Sequence, residues 1–164
     1  MCSSDLIQTI TSNVLLQLQW QQQFASKNLD SSEQLSVGGS SNLVGYPNSQ
    51  ANFDEGGMGK AHVYWAPLNN LRLGVFGEYA TVKLANNPLA GTDNKHQYSD
   101  FGFSADWKIN KEFGLASTLA WATGERAIKS DDDKPRLWIK LGYTFGESKT
   151  KLVNKNEIQA TEIK

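Results

Sequence analysis

The sequence predicts an all-β fold: an antiparallel sheet of about seven strands with one long inserted loop. Three observations predict it. Several runs of residues alternate between apolar and polar, the connections between them alternate between short and long, and no apolar run reaches the roughly 18 residues that a membrane-spanning helix requires. Because successive side chains of a strand point to opposite faces, each run predicts a strand with one apolar and one polar face.

The last predicted strand shows the alternation most clearly. Its apolar face carries Leu137, Ile139, Leu141, Tyr143 and Phe145. An earlier run, from Val14 to Phe24, alternates apolar residues with glutamines. The remaining predicted strands are residues 34–39, 61–65, 71–79, 101–109 and 113–121.

The connections between these strands fall into two length classes. Short links are predicted at 26–32, 66–70 and 110–112, and long loops at 40–57, 85–96 and 125–135. Short turns at one end and long loops at the other are typical of bacterial outer-membrane barrels, as are aromatic residues near both strand ends. Four tryptophans fall near predicted strand ends: Trp20, Trp65, Trp107 and Trp121. The pattern favours a transmembrane β-barrel over the alternative, a soluble β-sandwich with tryptophans in its core.

Seven strands predict a fragment of a barrel, because antiparallel closure with both termini in the periplasm needs an even number of strands. The predicted barrel part spans residues 13–145. Residues 1–12 form a preceding segment, of which 1–6 are interpreted as a translated sequencing adapter. The polar, lysine-rich residues 146–164 are predicted to be a tail outside the barrel.

The most distinctive segment is the Gly-, Ser- and Asn-rich stretch at 26–59. It contains NLDSSEQLSVGG at 28–39, LVGYP at 43–47 and DEG at 54–56. These motifs resemble the inward-folding loop of the two-partner-secretion transporters, the outer-membrane family that includes haemolysin activators and filamentous-haemagglutinin transporters. In that family the loop tip is a VRGYP-type motif and the return is a GDEG-type motif.

The resemblance implies a function and a set of partners. The chain would be the last seven of about sixteen strands of a barrel that conducts an unfolded exoprotein across the outer membrane. POTRA domains and the first strands would precede it, so the fragment alone is expected to be inactive. The implied partners are the exported exoprotein, outer-membrane lipid and the barrel-assembly machinery. No enzymatic activity and no cofactor are implied.

The resemblance also assigns a loop-tip site. The tip is Leu43, Val44, Gly45, Tyr46 and Pro47, and Val44 stands where the family has arginine. That arginine pairs with an acidic residue of an FxDxG-type strand motif. The motif corresponds here to Phe76, Glu78 and Ala80.

The departure at Val44 predicts a tip that is held less firmly than in the family, because a charge-assisted contact is missing. Arg72 or Lys60 could replace the arginine as the partner of Glu78. The alternative is that Glu78 is a solvated residue of the lumen.

The end of the last predicted strand resembles a barrel-assembly signal. Tyr143 and Phe145 fit an aromatic-x-aromatic ending, and Lys140 and Gly142 fit the polar-x-Gly portion before it.

Composition excludes some functions and leaves others open. A net charge of -1 and a pI near 6.1 give no basic excess for binding nucleic acid, and one cysteine cannot form a cysteine-ligated zinc site. A weak Ca²⁺ site at 131–133 is less expected than a solvated turn. Besides the transport pore, two classes remain: a porin-like or structural barrel module, and an outer-membrane hydrolase that uses His62 with Ser104.

Overall fold

The computed structural model describes residues 2–88, 93–125 and 134–145, and these ranges are all-β. The predicted tail at 146–164 and the acidic triplet at 131–133 lie outside them. No helix in the described ranges has the length and hydropathy to cross a membrane. The strands are β1 (Cys2–Thr11), β2 (Val14–Gln23), β3 (Leu35–Val37), β4 (Ala51–Phe53), β5 (Glu55–Leu68), β6 (Leu71–Lys83), β7 (Lys95–Lys108), β8 (Phe113–Ala122) and β9 (Arg136–Tyr143).

Seven of these strands form one sheet in the order β1-β2-β5-β6-β7-β8-β9. Every neighbouring pair is antiparallel. The predicted all-β class, the antiparallel pairing and the number of sheet strands are confirmed. Five strands of the sheet follow the long loop, as expected, but two assignments near the N-terminus are wrong.

The first correction concerns residues 34–39, which were predicted to be a strand of the main sheet. Leu35–Val37 instead pairs with Ala51–Phe53 in a separate two-stranded sheet within the connection between β2 and β5. The chain leaves this short strand through Gly38 and Gly39, whose φ angles of 95° and 106° lie in the left-handed region that favours glycine. The apolar residues of this alternating run pack in the core of the loop, where Val37 is fully buried.

The second correction concerns the N-terminal segment, to which the sequence analysis assigned no strand. Cys2–Thr11 is the first strand of the sheet and forms a hairpin with β2 through a turn at Ser12 and Asn13. All of its residues are exposed. The strand was missed because its outer-facing and inner-facing residues are both mixtures of apolar and polar, which gives no period-two signal.

The predicted sorting of connections by length is confirmed, although one boundary changes. The turns at 12–13, 69–70 and 109–112 lie at one end of the sheet, and the longer connections leave from the other end, after Gln23, Lys83 and Ala122. We call these the short-turn end and the long-loop end. The predicted short link at 26–32 belongs to the 24–54 connection, hereafter the long loop, because residues 34–39 are not a strand of the main sheet.

One face of the sheet, the outer face, is apolar and exposed. Trp20 and Trp121 lie on it near the long-loop end, whereas Trp65 and Trp107 lie near the short-turn end. Gly59, which pairs with Trp20, is six residues before Trp65 on β5, a separation of about 20 Å along the strand. Other outer-face residues, each more than a third exposed, are Leu18, Val63, Val75, Tyr79, Phe101, Phe103, Leu137, Ile139 and Leu141.

The opposite face, the inner face, carries polar residues and is covered in part by the long loop. The main buried cluster lies between the loop and this face. Its members are Val37, Leu43, Tyr46, Ala51 and Phe53 from the loop, and Met58, Ala80, Val82 and Tyr98 from the sheet. The core of the chain is therefore formed between the loop and the sheet.

Candidate functional site

The LVGYP motif forms the part of the long loop that is docked against the inner face. Leu43, Val44, Gly45 and Tyr46 are all buried, and Pro47 is half-buried. The chain turns sharply here, with the Tyr46 N–H donating to the Leu43 carbonyl at 3.0 Å. Leu43 has a φ of 48°, in the left-handed region that a residue with a side chain adopts at a cost of about 1 to 2 kcal/mol. The burial of Leu43, which is only 1% exposed, offsets that cost.

Two consecutive backbone N–H groups of the tip bind two carboxylates of the sheet. The N–H of Val44 donates to Glu78 Oε2 at 2.9 Å, and the N–H of Gly45 donates to Asp100 Oδ2 at 2.7 Å. Glu78 on β6 and Asp100 on β7 are direct cross-strand partners, and both are buried. The carboxylates thus lie side by side where two successive peptide groups of the loop can reach them.

Gly45 is required by this close approach. A Cβ at this position would lie 2.8 Å from the Cβ of Asp100 and 2.9 Å from the backbone nitrogen of Ala122, both shorter than real side chains allow. Any larger residue would push the tip away from β7 and β8.

Tyr46 anchors the other side of the tip. Its hydroxyl lies 3.2 Å from the Ser99 carbonyl and 3.0 Å from the Glu125 carbonyl, so it can donate to either. Its ring meets that of Tyr98 edge to face at 5.2 Å. Burial raises the pKa of Tyr46, which keeps the hydroxyl in the protonated form that donates.

Lys60 supplies the cation that the tip lacks. Its Nζ lies 3.6 Å from Glu78 Oε1 and donates to Asn42 Oδ1 at 2.8 Å and to the Ser41 carbonyl. The ammonium group of β5 therefore bridges Glu78 to the two residues before the tip. Of the two substitutes considered from the sequence, Lys60 occupies this position.

Arg72 is engaged elsewhere. It forms an ion pair with Asp106 at 2.6 Å and lies over the ring of Tyr64. The interpretation of Glu78 as a solvated residue is wrong, because Glu78 is 5% exposed and has Lys60, His62 and the Val44 N–H around it.

The side chain and the carbonyl of Val44 are held by residues of the neighbouring strands. The side chain packs with Phe76 and Ala120 in a small buried cluster. Its carbonyl oxygen accepts a hydrogen bond from Trp138 Nε1 at 2.9 Å. A tip without arginine is therefore held by contacts to its backbone and by apolar packing.

The structure brings the predicted strand motif to the tip. Phe76, Glu78 and Ala80 alternate along the inner face of β6, and all three are buried against the loop. The predicted assembly signal lies far from it along β9: Tyr143 is at the short-turn end of the outer face, with its ring 4.4 Å from that of Phe145. Lys140 and Gly142 lie on the alternate positions of the same strand, opposite Ala116 and Gly114.

Asp100 and Trp138 are site residues that the sequence analysis did not identify. Asp100 can be identified as a site residue only from the register of β6 and β7, which places it beside Glu78. Trp138 did carry a signal, because it is an aromatic residue on the polar face of β9, between Arg136 and Lys140.

The residues considered for a hydrolase do not form a catalytic pair in the described part of the chain. His62 Nδ1 lies 3.0 Å from the Tyr64 hydroxyl, and its ring stacks on Phe76. Ser104 lies across from Gly74, at the level of Tyr64. The described ranges also contain no cluster of three His, Cys, Asp or Glu side chains that could hold a metal ion.

The arrangement is suited to holding a loop. The carboxyl groups, the Lys60 ammonium and the Trp138 indole all join the loop to the sheet, in addition to the apolar cluster between them. Searches with the chain found no matching protein-family model, no matching curated protein and no matching solved structure.

Proposed function

We propose that this chain is the C-terminal part of the barrel of a two-partner-secretion transporter, which exports a large exoprotein across the bacterial outer membrane. In this proposal the long loop occupies the lumen and is displaced, wholly or in part, when the exoprotein passes. The chain contributes seven strands and the loop, and the rest of the barrel and the POTRA domains are supplied by preceding sequence.

The outer face supports a position in lipid. A soluble protein rarely exposes a continuous apolar surface of this extent, because the surface would be in contact with water. In an outer-membrane barrel the same surface faces hydrocarbon, with aromatic residues at both borders of an apolar band about 25 Å tall. The separation of the two tryptophan levels along the strands is similar to that height.

The docking of the LVGYP tip is the observation that carries the proposal. A porin-like module has no need for a loop tip whose consecutive N–H groups bind a buried carboxylate pair. A loop that must stay in the lumen at rest and leave it during transport needs a defined attachment of limited strength. A hydrogen bond is worth about 1.5 to 3 kcal/mol to a charged group and about 0.5 to 1.5 kcal/mol to a neutral one, and two such bonds provide an attachment of limited strength.

The direction of the edge strands argues against a barrel made only of copies of this chain. Six antiparallel junctions make β1 and β9 run in the same direction. In a ring of copies, β9 would meet β1 of the next copy in parallel, whereas outer-membrane barrels of this kind are antiparallel. Closure by an odd number of additional strands avoids this, and the family resemblance implies nine.

Secretion by bacteria that make the complete transporter tests the proposal. Residues 43–47 are replaced by a Gly-Ser segment of equal length, and the exoprotein is measured in the medium and in the periplasm. We expect the exoprotein to be lost from the medium and the ion conductance of the barrel to increase. The same replacement at residues 27–31, which are exposed except for the half-buried Leu29, is the control. Unchanged secretion by the tip variant, with barrel assembly intact, would contradict the proposal.

A further inference from the structure

A column of glutamines runs along the inner face of β2. Gln17, Gln19, Gln21 and Gln23 occupy alternate positions of this strand, opposite His62, Lys60, Met58 and Gly56 of β5. Side chains at alternate positions of a strand repeat about every 6.7 Å. The column therefore presents primary amides at regular intervals along the length of the sheet.

The last glutamine of the column already binds main-chain groups. Gln23 Nε2 lies 3.2 Å from the carbonyl oxygen of Glu33 and 3.4 Å from that of Phe53, and the second residue is in the extended strand β4. An amide of this column thus holds an extended segment of the long loop through its backbone. The contact does not involve the side chains of the bound segment.

Two members of the column have no such occupant. Gln17 and Gln19 are half-buried, and neither side chain makes a hydrogen bond with another residue in the described ranges. A polar cavity of about 380 Å³ is lined by Gln19 and Gln21 and by their cross-strand partners on β5, Lys60 and Met58. The cavity adjoins Ser41 and Asn42, so it lies next to the segment that leads into the loop tip.

We propose that Gln17 and Gln19 bind the main chain of an extended polypeptide that runs along the inner face of β2. The repeat of an extended chain over two residues equals the spacing of the column, so each amide meets an equivalent peptide group. A primary amide both donates and accepts, so it can pair with either the C=O or the N–H of that group. An uncharged contact to the backbone binds without regard to sequence, which suits an unfolded exoprotein. The identity of this ligand rests on the proposed function.

A photo-crosslinking experiment with a synthetic peptide tests the inference without requiring secretion. The full chain is tethered through its exposed Cys2 to beads at low density in detergent, so that copies do not meet. The probe is an uncharged peptide of about twelve Ser, Gly and Asn residues, long enough to span β2, with a central benzophenone. We expect crosslinks to map to β2 and to Met58, which lines the same cavity beside Gln21.

Two changes are expected to remove these crosslinks. Gln17→Leu with Gln19→Leu should lower their yield at least about fivefold, as two neutral hydrogen bonds at the low end of their usual range predict. The matched control is Gln22→Leu, on the outer face of the same strand, which should leave the yield unchanged. A peptide of the same composition with alternate amides replaced by esters, which have no N–H and a weaker carbonyl acceptor, should crosslink poorly to the unmodified chain, a result that does not depend on how any variant folds.

Equal yields from the plain and ester-containing peptides, or crosslinks spread over the outer face, would overturn the inference. Because the probe is a peptide and no export is measured, this failure is distinct from failure of the proposed function. If the unmodified chain gives no crosslinks to β2 while secretion still depends on the loop tip, only the inference about the glutamine column is rejected.

Discussion

Trp138 donates its indole N–H to the carbonyl oxygen of Val44 at 2.9 Å, while the N–H of the same valine donates to Glu78. One residue of the loop is thereby fixed at both ends of its backbone, from β9 on one side and from β6 on the other. Neither contact uses the valine side chain. The tip can therefore be held in register although the arginine expected from the family resemblance is absent.

Replacing Trp138 with phenylalanine should loosen the tip while preserving most of the packing. The Val44 carbonyl would lose its partner, at a cost of about 0.5 to 1.5 kcal/mol, or more if the oxygen stays buried. Hydrogen exchange at the backbone amides of residues 43–46 should become faster. Trp121→Phe, on the outer face, is the control, and equal exchange in both variants would show that the indole N–H does not hold the tip.

Replacing Lys60 should weaken the attachment of the tip, and Val44→Arg should restore it. Lys60→Met leaves Glu78 buried without its cation, which for a buried pair is destabilising by about 3 to 5 kcal/mol. We expect lower secretion and a more protease-sensitive loop. Adding Val44→Arg should recover both, because a guanidinium at the tip can reach the same carboxylate.

The control for this pairing is Glu78→Ala. In that background Val44→Arg should give no gain in either secretion or loop protection. A gain that persists without Glu78 would mean that the arginine acts on another group, with Asp100, beside Glu78, the first to examine.

The sequence predicted the strands of the sheet well where the two faces differ in polarity. The alternation at β9 and the glutamines of β2 follow directly from a sheet with an apolar outer face and a polar inner face. β1 lacks that contrast, and it was missed. Residues 34–39 also alternate, but their apolar side chains pack within the loop, where Val37 is buried. A local pattern cannot distinguish a strand of the main sheet from a short strand within a loop.

The site was predictable only in part. The family resemblance identified the tip and Glu78, and the sequence offered Arg72 and Lys60 as possible partners of Glu78. Only the register of β5 and β6, which places Lys60 directly across from Glu78, distinguishes between them. Asp100 is brought to the site by pairing between strands that are not defined by any short motif. Contacts of this kind depend on register, which the sequence specifies through the whole sheet and not through neighbouring residues.

Gly45→Ala should displace the tip from β7. The added methyl group would meet the backbone of Ala122 and the Cβ of Asp100, neither of which can move without disturbing the sheet. Overpacking of this kind costs about 1 to 3 kcal/mol, so thermal unfolding of the loop should occur at a lower temperature.

The matched control for that substitution is Gly77→Ala on β6, next to Glu78. A Cβ at Gly77 has its nearest neighbour at 3.8 Å, which is ordinary contact. Both variants add one methyl group. Equal unfolding temperatures of the loop in the two variants would mean that the close approach at Gly45 is tolerated.

Cysteine labelling of intact cells should reveal which end of the sheet faces outward. In a complete transporter with any other cysteines replaced, a cysteine at Asn94, at the long-loop end, should react with a reagent that does not cross the membrane. A cysteine at Asn69, in a short turn, should react only after the cells are opened. The reverse pattern would invert the topology and place the long loops in the periplasm.

The isolated chain should associate through its edge strands. Among the described residues, β1 and β9 each pair with a single neighbour, so each presents a row of unpaired backbone groups. In hydrocarbon each unsatisfied backbone group costs several kcal/mol. Because a sheet of seven antiparallel strands does not close with antiparallel edges, association with other copies is the way to remove that cost. We expect residues 1–164 to form mixed oligomers and aggregates in detergent at micromolar concentration, measured by light scattering after size-exclusion chromatography. A single monodisperse species whose gel mobility changes on heating would instead indicate a small closed barrel, and would contradict the assignment of this chain as part of a larger one.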